Sequence, residues 1–302
     1  MTTEELVGRL LEFGRANSVQ SLISAAPYLE ALGEAFADRD VRSVTAKELS
    51  DFHRAAGAEL AEPVMAGLKR KSLGWEAIYS SRSRQLIGQL QWESERPVSA
   101  LVELFDRPGF GPRTVLELGC GDGLNAVFMA SRGSRVTAVD VSRTAVEMAR
   151  QKAREARVEV EFVEGDVFEL EPPEQRYELV FDRGLLHHLP VFRFEDYKQL
   201  VADRVAPAGH FHLICHHVST RPTVALDATY GGAMGKLIGY LTGPLVETGC
   251  GFADEELRQI FSDRFEIEST EEIDDDEGRP FRFESAVMRP ADRAGELGER
   301  SG

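Results

Sequence analysis

Short apolar runs and helical stretches alternate along the chain from Thr114 onward, and this alternation limits the fold more than any other feature of the sequence. Five of the runs are predicted to be buried strands: Thr114–Leu118, Val136–Val139, Val158–Val163, Leu179–Phe181 and Phe211–Cys215. Helices are predicted between them, over Asn125–Ser131, Ser142–Arg157 and Glu195–Val205. Strands that are separated by helices pair in parallel through right-handed crossovers. The sequence therefore predicts an α/β fold built on a doubly wound sheet.

The pattern changes toward the carboxyl end of the chain. After a further predicted helix over Phe252–Phe261, two strands, Phe265–Ser269 and Phe281–Met288, follow with no helix between them. This order predicts an antiparallel hairpin at the sheet edge. The expected architecture is a Rossmann-like, seven-stranded sheet with an antiparallel last strand. The acidic run from Glu271 to Glu277 is predicted to be the solvated connection of the hairpin.

A helical region precedes the sheet over residues 1–74. Thr2 and Thr45 each stand three residues before a glutamate, which is a capping-box pattern. Pro27 is predicted to break or restart the helix between them, and the helix that begins after Thr45 is predicted to run toward Leu60. The region contains no chemical motif, so three interpretations stay open: a structural cap, a lid over a substrate pocket, or an oligomerisation surface that forms a homodimer through these helices.

Charge and composition narrow the class of partner. The chain has 35 Lys and Arg against 51 Asp and Glu, and its one basic cluster is 69–71. Phosphate backbones and anionic membranes need a basic surface, so we expect a small-molecule partner, neutral or cationic, and no nucleic acid or membrane. The acidic start, the lack of an 18-residue apolar run and three scattered cysteines predict a cytoplasmic protein without a disulfide framework.

A glycine-rich turn after the first strand carries the most specific signal. In VLELGCGDGLN, residues 115–125, a strand runs into glycines and then into a helix, which lets a ligand approach the backbone. Asp140 ends the next strand, where a carboxylate can hold both hydroxyls of a ribose. A dinucleotide fingerprint would need glycine where Leu124 stands, and Glu117 in the first strand would repel a pyrophosphate. A nucleoside that carries an ammonium group, such as S-adenosylmethionine, suits Glu117 better.

This segment resembles motif I of the class I S-adenosylmethionine-dependent methyltransferases, and the resemblance extends over about residues 113–288. It implies that Asp140 is the ribose-binding acid, that Asp166 and Val167 contact the adenine amine and ring, and that Val141 packs on the other adenine face. Phe181-Asp182-Arg183-Gly184 resembles motif IV of the family. The predicted cofactor-binding residues are thus Glu117, Gly119, Cys120, Gly121, Asn125, Asp140, Val141, Asp166, Val167, Asp182 and Arg183.

The resemblance also divides the chain. Residues 113–290 are expected to form the cofactor-binding methyltransferase domain, with a helical connector over 75–112 that contributes to the pocket and a polar tail over 291–302. Trp75, Tyr79 and Trp92 in the connector, together with Asn125, loosely resemble tellurite-resistance and thiopurine-type methyltransferases. The glycine-rich insertion at 218–250 departs from the family pattern and is either a lid over the pocket or a surface excursion.

Four histidines follow the ends of the fourth and fifth predicted strands. An imidazole near its unperturbed pKa of ~6.5 can accept a proton from a hydroxyl or amine nucleophile. We therefore predict His188, or else His187, as the catalytic base, while a packing role for either stays open. The predicted substrate-binding residues are Tyr79, Trp92, His216, His217 and Tyr230. No metal is expected, because the histidines show no fixed-spacing ligand motif such as HExxH.

The sequence thus favours methyl transfer from S-adenosylmethionine to a small molecule with an oxygen, nitrogen, sulfur or carbon nucleophile. Two alternatives stay open. One is a protein that binds S-adenosylmethionine without methyl transfer, such as a cyclase or a regulatory binder. The other is a nicotinamide-dependent oxidoreductase on the same α/β frame, which Glu117 and Leu124 disfavour.

Overall fold

The computed structural model describes residues 1–18, 20–80, 94–172, 174–217, 237, 251–279 and 281–291, with the backbone alone over 66–73. The chain divides into two compact units. The helical unit comprises Met1–Gly88, His187–Asp196 and Arg221–Gly251, and the sheet unit comprises Gln89–Leu186, Tyr197–Thr220 and Phe252–Gly302. The predicted insertion at 218–250 and the predicted tail lie, apart from Leu237 and Ala291, outside the described residues.

The helices of the first unit begin where the sequence predicts. They are α1 (Thr3–Ala16), α2 (Gln20–Ser24), α3 (Ala26–Ala35) and α4 (Ala46–Tyr79). The Thr2 and Thr45 side chains each accept from a backbone N–H three residues on, at 3.2 Å, which completes both capping boxes. Helix α4 continues well beyond Leu60, through a kink at Gly57, whose φ of 77° is left-handed. Pro27 lies in the first turn of α3, where its missing N–H costs no hydrogen bond.

A segment from the middle of the chain packs on these helices. In the 191–193 stretch of the helical unit, the Phe192 carbonyl accepts from Ser50 Oγ at 2.9 Å, and the Phe192 ring stacks on His53 at 4.0 Å between centroids. The compact unit that contains residues 1–80 therefore also takes in residues 187–196, which the sequence boundaries assigned to the sheet domain.

The second unit is a seven-stranded mixed sheet among the described residues, with helices between its strands. The strands are β1 (Thr114–Leu118), β2 (Arg135–Asp140), β3 (Glu161–Glu164), β4 (Tyr177–Arg183), β5 (Val205–His216), β6 (Phe265–Asp274) and β7 (Arg282–Pro290). The helices are α5 (Ser99–Asp106), α6 (Leu124–Ser131), α7 (Arg143–Ala156), α8 (Phe194–Arg204, whose first residues belong to the helical unit) and α9 (Asp254–Phe261). The strand order is β3-β2-β1-β4-β5-β7-β6. Strands β1 to β5 are parallel, and β7 is antiparallel to β5 and β6. The predicted fold class is confirmed.

The acidic run near the carboxyl end is the main error in the predicted elements. Glu271 to Asp274 lie inside β6, where Glu272 pairs with Glu284 and Ile273 with Phe283, so only the rest of the run belongs to the connection. The ladder to β7 overrides the low strand propensity of acidic residues, because a paired edge strand can leave these side chains in water.

The strand order places the carboxyl ends of β1, β2, β4 and β5 at one edge of the sheet. Open α/β sheets bind ligands at this edge, beside the point where the strand order reverses. Here that point lies between β1 and β4. In the described part of the chain, every helix is too short or too polar for a membrane-spanning segment.

Candidate cofactor site at the carboxyl edge of the sheet

The turn between β1 and α6 is built by three glycines in left-handed conformations. Gly119, Gly121 and Gly123 have φ values of 68°, 53° and 79°. A side chain at Gly123 would also clash, because an added Cβ would lie 2.5 Å from the Cβ of Ala149 on α7. The turn therefore combines a backbone that only glycine adopts easily with close packing of a helix against it. Gly123 was part of the quoted motif but was not among the predicted site residues.

Glu117 is a buried acid with one unsatisfied oxygen. It is 2% exposed in β1, and its Oε2 has no hydrogen-bond partner. The Asn125 side chain also interacts with this carboxyl as a hydrogen-bond partner, which lowers its pKa. Burial raises the pKa of Glu117 to about 8, with smaller upward contributions from Asp122 and Asp140. An unpaired buried oxygen of this kind fits a ligand that brings a hydrogen-bond donor, above all a cationic one.

Asn125 is oriented by the chain itself. Its Oδ1 accepts from the backbone N–H of Val98 at 3.1 Å, so its amide nitrogen is the atom left for Glu117. The sequence predicted that Asn125 contacts the cofactor. The structure shows that its side chain also supports the carboxylate of Glu117 in β1.

Asp140 joins the ends of β1 and β2. Its Oδ2 accepts from Gly121 N–H at 2.8 Å, and its Oδ1 accepts from Ser142 N–H at 2.8 Å. Ser142 in turn caps α7 through its hydroxyl, which accepts from Ala145 N–H. These bonds hold the carboxylate at the carboxyl end of β2, beside the glycine turn. The turn thus has two bonded pairs beside it, Gly121 with Asp140 and Asn125 with Glu117.

The predicted adenine-contacting residues follow β2 and β3. Val141 is half-buried after β2, and Val167 is 6% exposed after β3. The exposed Asp166 caps a short 3₁₀ helix, since its Oδ1 accepts from Phe168 N–H at 3.0 Å. Cys120 is buried, and burial raises the pKa of its thiol well above the usual range, so it stays a neutral turn residue.

Asp182 at the end of β4 is engaged by donors from the chain. It is fully buried, and its carboxylate accepts from Leu185 N–H at 2.7 Å, from Leu186 N–H at 3.0 Å and from the Tyr197 hydroxyl. Burial raises the pKa of Asp182 to about 6, against the opposing effect of these bonds. What the structure shows for Asp182 is support of the loop after β4, a role that the sequence did not predict.

Arg183 is the last residue of β4, and His216 is the last residue of the neighbouring strand β5. The Arg183 guanidinium stands 5.6 Å from the ring centroid of Phe283, and its charge acts on both Glu117 and His216. Burial, followed by Arg183, lowers the pKa of His216 to about 4, so this imidazole is neutral near pH 7. It is stacked on Phe281, with the rings 4° from parallel.

His217 stands between two acids. Its Nδ1 is 3.2 Å from Glu272 Oε1, and its Nε2 is 3.9 Å from Glu284 Oε2. Burial, with Asp254 and Glu272, raises the pKa of the buried Glu284 to about 7. Sequence reasoning did not identify these acids, because their proximity depends on the β5–β7–β6 ladder.

The predicted base residues belong to the helical unit. His187 is buried and His188 half-buried in a 3₁₀ turn, Leu186–His188. Their rings are 4.4 Å apart, and Trp75 approaches His188 at 4.8 Å between centroids. Tyr79 is buried at the end of α4 in this unit. Trp92 and Tyr230, two of the predicted substrate-binding residues, lie outside the described residues.

Among the described side chains, no group of three or more His, Cys, Asp or Glu is arranged to hold a metal ion.

Comparison with known proteins assigns the central segment. Residues 115–209 match the family model described as a methyltransferase domain. A curated relative from Mycobacteroides abscessus, named 2-heptyl-1-hydroxyquinolin-4(1H)-one methyltransferase, is 27% identical over 42% of this chain and 56% of its own length. A ubiquinone biosynthesis O-methyltransferase from Alkalilimnicola ehrlichii is 41% identical over 27% of this chain and 34% of its own. The matched stretch therefore covers only part of these relatives.

Solved structures agree on the fold. Burkholderia thailandensis 1,6-didemethyltoxoflavin-N1-methyltransferase, described with bound S-adenosylhomocysteine, has a TM-score of 0.56 at 18% identity over 76% of this chain and 90% of its own. The N-methyltransferase NodS from Bradyrhizobium japonicum has a TM-score of 0.51 at 15% identity over 73% and 98%. At this identity, the likeness concerns the fold alone. The fold is therefore the one that the sequence resemblance predicted, and residues 115–209 match a methyltransferase domain.

Proposed function

We propose that this protein transfers a methyl group from S-adenosylmethionine to a small-molecule acceptor and releases S-adenosylhomocysteine. The observation that carries the proposal is the unpaired, buried Oε2 of Glu117 beside a glycine turn that Asp140 holds in place. The two acids lie on neighbouring parallel strands, which suits a ligand with an ammonium group at one end and a ribose in the middle.

The residues at the turn fit this cofactor in their chemistry. The carboxylate of Glu117 would pair with the methionyl ammonium, and the resulting ion pair would lower the raised pKa of the acid. Asp140 would accept from the ribose hydroxyls, because an ionised carboxylate only accepts hydrogen bonds and its two oxygens can each take more than one. Val141 after β2 and Val167 after β3 would offer apolar surface to the adenine ring.

The cofactor supplies an activated methyl group on a positively charged sulfur. The chain therefore has to orient the acceptor and to exclude water, and orientation alone supplies ~7–11 kcal/mol of barrier reduction. A general base adds about 10²–10⁴-fold. The frame of Glu117, Asp140 and the glycine turn is accordingly expected to matter more than any one histidine. His187 and His188 stay the predicted candidates for the base.

A small-molecule acceptor is supported by charge and by the relatives. The net charge of −16 disfavours polyanionic partners. Relatives are named for a hydroxyquinolinone and for ubiquinone biosynthesis, and one structural neighbour for didemethyltoxoflavin. We propose an acceptor of comparable size with an oxygen or nitrogen nucleophile.

Calorimetric titration tests the cofactor assignment. Wild-type protein is expected to bind S-adenosylmethionine and S-adenosylhomocysteine, and to show no heat with NADH. NADH binding without binding of either S-adenosyl compound would overturn the proposal in favour of an oxidoreductase.

Methyl release tests the reaction itself. With S-adenosylmethionine labelled in its methyl group, label is expected to move into acceptors drawn from hydroxylated and amino-substituted ring compounds. Tight cofactor binding with no transfer to any acceptor would favour a binding protein without methyl transfer. The matched control is Asp140→Asn, which is expected to slow the transfer of label at limiting S-adenosylmethionine.

A further inference from the structure

A series of contacts within the sheet unit connects helix α8 to the glycine turn, and it begins at Tyr197, to which the proposed function gives no role. Tyr197 is fully buried, and its hydroxyl donates to Asp182 Oδ2. The same carboxylate accepts from Leu185 N–H through Oδ1 and from Leu186 N–H through Oδ2. Three donors thus converge on one buried acid, which fixes the backbone that follows β4.

Leu185 carries this constraint to the turn after β1. A Cβ placed on Gly119 would lie 3.2 Å from Leu185 Cβ, with the rest of the leucine side chain at 3.7–3.8 Å. Gly119 is left-handed and has no side chain of its own to limit its movement. The leucine side chain therefore packs against Gly119 on the side where any other residue would carry its Cβ. It restricts the turn only as long as the Leu185 backbone is held by its bond to Asp182.

We propose that Tyr197 is a positioning residue for the cofactor: its hydroxyl orients Asp182, Asp182 fixes Leu185, and Leu185 keeps the Gly119 turn in its binding conformation. This inference rests on the proposed function, because it assumes that the cofactor binds at that turn. It assigns Asp182 to the support of the turn.

Titration of Asp182 makes the proposal testable apart from packing. Burial raises the pKa of Asp182 to about 6, while the bonds from Tyr197, Leu185 and Leu186 lower it. Burial and the nearby Asp182 raise the pKa of Tyr197 well above its usual range, and Cys215 on β5 acts in the same direction, so the phenol stays a donor. Protonating Asp182 removes acceptor capacity, so cofactor affinity is expected to fall as the pH drops through about 6.

Removing the tyrosine hydroxyl shifts that response. Without the bond from Tyr197, the pKa of Asp182 rises, and the acid-side midpoint of the affinity profile moves to higher pH. Glu117, Asp122, Asp140 and Arg183 also carry charge near the turn. They are the same in both proteins, so the difference between the two midpoints reports on Asp182.

The experiment is a calorimetric titration with S-adenosylhomocysteine from pH 5 to pH 8, on wild type and Tyr197→Phe. Tyr177→Phe, the same change at the opposite end of β4, is the matched control. We expect Tyr197→Phe to weaken the affinity for S-adenosylhomocysteine about three- to tenfold at pH 7, which is less than the full contribution of one hydrogen bond to a charged group. We also expect it to raise the acid-side midpoint of the affinity profile. Asp182→Asn is expected to lose the acid-side response, and Tyr177→Phe to match wild type.

The outcomes separate this proposal from the function on which it rests. Failure of wild type to bind S-adenosylhomocysteine would overturn both. Binding by wild type, with Tyr197→Phe equal in affinity and midpoint, would overturn the role of Tyr197 alone. If Tyr197→Phe does not fold, Leu185→Ala decides: it is expected to weaken affinity without moving the midpoint, and wild-type affinity in this variant would refute the proposal.

Discussion

Glu117→Gln distinguishes two effects of this acid: its role in cofactor binding and the stability that the fold loses by burying it. The carboxyl is buried, and its pKa is raised from 4.5 to about 8. For an acid whose folded pKa lies above its unfolded value, stability is greatest below the unfolded pKa and falls as the pH rises toward the folded pKa. The loss is about 1.4 kcal/mol for each pH unit. At pH 7 the raised pKa of Glu117 therefore lowers the free energy of unfolding of the ligand-free protein by ~3 kcal/mol.

Glutamine keeps the shape of the side chain, and its carbonyl still accepts from Asn125, but it does not titrate. We therefore expect the stability of Glu117→Gln relative to wild type to grow by ~3 kcal/mol between pH 5 and pH 7.5. The same change removes the charge that would bind an ammonium group. Hydrogen bonds to charged groups contribute about 1.5–3 kcal/mol, so affinity for S-adenosylhomocysteine is expected to fall at least about tenfold.

Urea denaturation of the ligand-free proteins at both pH values measures the first effect, and calorimetry with S-adenosylhomocysteine measures the second. Glu161→Gln, an exposed acid on β3, is the control and is expected to leave both unchanged. A stability difference that does not grow with pH would refute the unpaired buried carboxyl. Wild-type affinity in Glu117→Gln would refute its role toward the ligand.

Asp140→Ala is expected to weaken S-adenosylhomocysteine binding several-fold, as measured by calorimetry. It is also expected to lower the melting temperature, because two backbone N–H groups lose their acceptor. Unchanged affinity in a folded variant would contradict the ribose role of Asp140. Gly123→Ala is expected to lower the free energy of unfolding by about 1–3 kcal/mol in urea denaturation, because of the positive φ and the close contact with α7. The control is Gly8→Ala, in open space on α1, which is expected to leave this free energy unchanged or to raise it. Among His187→Asn and His188→Asn, the variant that removes the base is expected to lower kcat by about 10²–10⁴-fold with unchanged cofactor affinity. If both keep more than about a tenth of wild-type kcat, neither histidine is the base.

Local sequence signals located the elements that depend on neighbours along the chain. The capping boxes at Thr2 and Thr45, the β1–turn–α6 segment and the alternation of strands and helices were all predicted correctly. These features rest on interactions over three or four residues or on the period of apolar positions. The helix after Thr45 was predicted only toward Leu60, whereas α4 continues to Tyr79.

Pairings between distant residues needed the tertiary structure. The acidic residues Glu271 to Asp274 form a strand only because β7 supplies their hydrogen-bond partners. Glu272 and Glu284 come to His217 through the same ladder, more than 50 residues along the chain. No local propensity contains that information, since register is set by the partner strand.

The sequence by itself indicated the kind of domain. Glu117 and Asp140 lie at the carboxyl ends of β1 and β2, and the glycine turn follows β1, so parallel pairing must bring all three to one edge of the sheet. Only the tertiary structure decided how the site is held. The unpaired oxygen of Glu117, the orientation of Asn125 by Val98 and the convergence of Tyr197, Leu185 and Leu186 on Asp182 depend on burial and on contacts between elements that the chain brings together after folding. Burial removes water as a partner, so the packing around each polar atom decides which protein atom, or which ligand, must replace it.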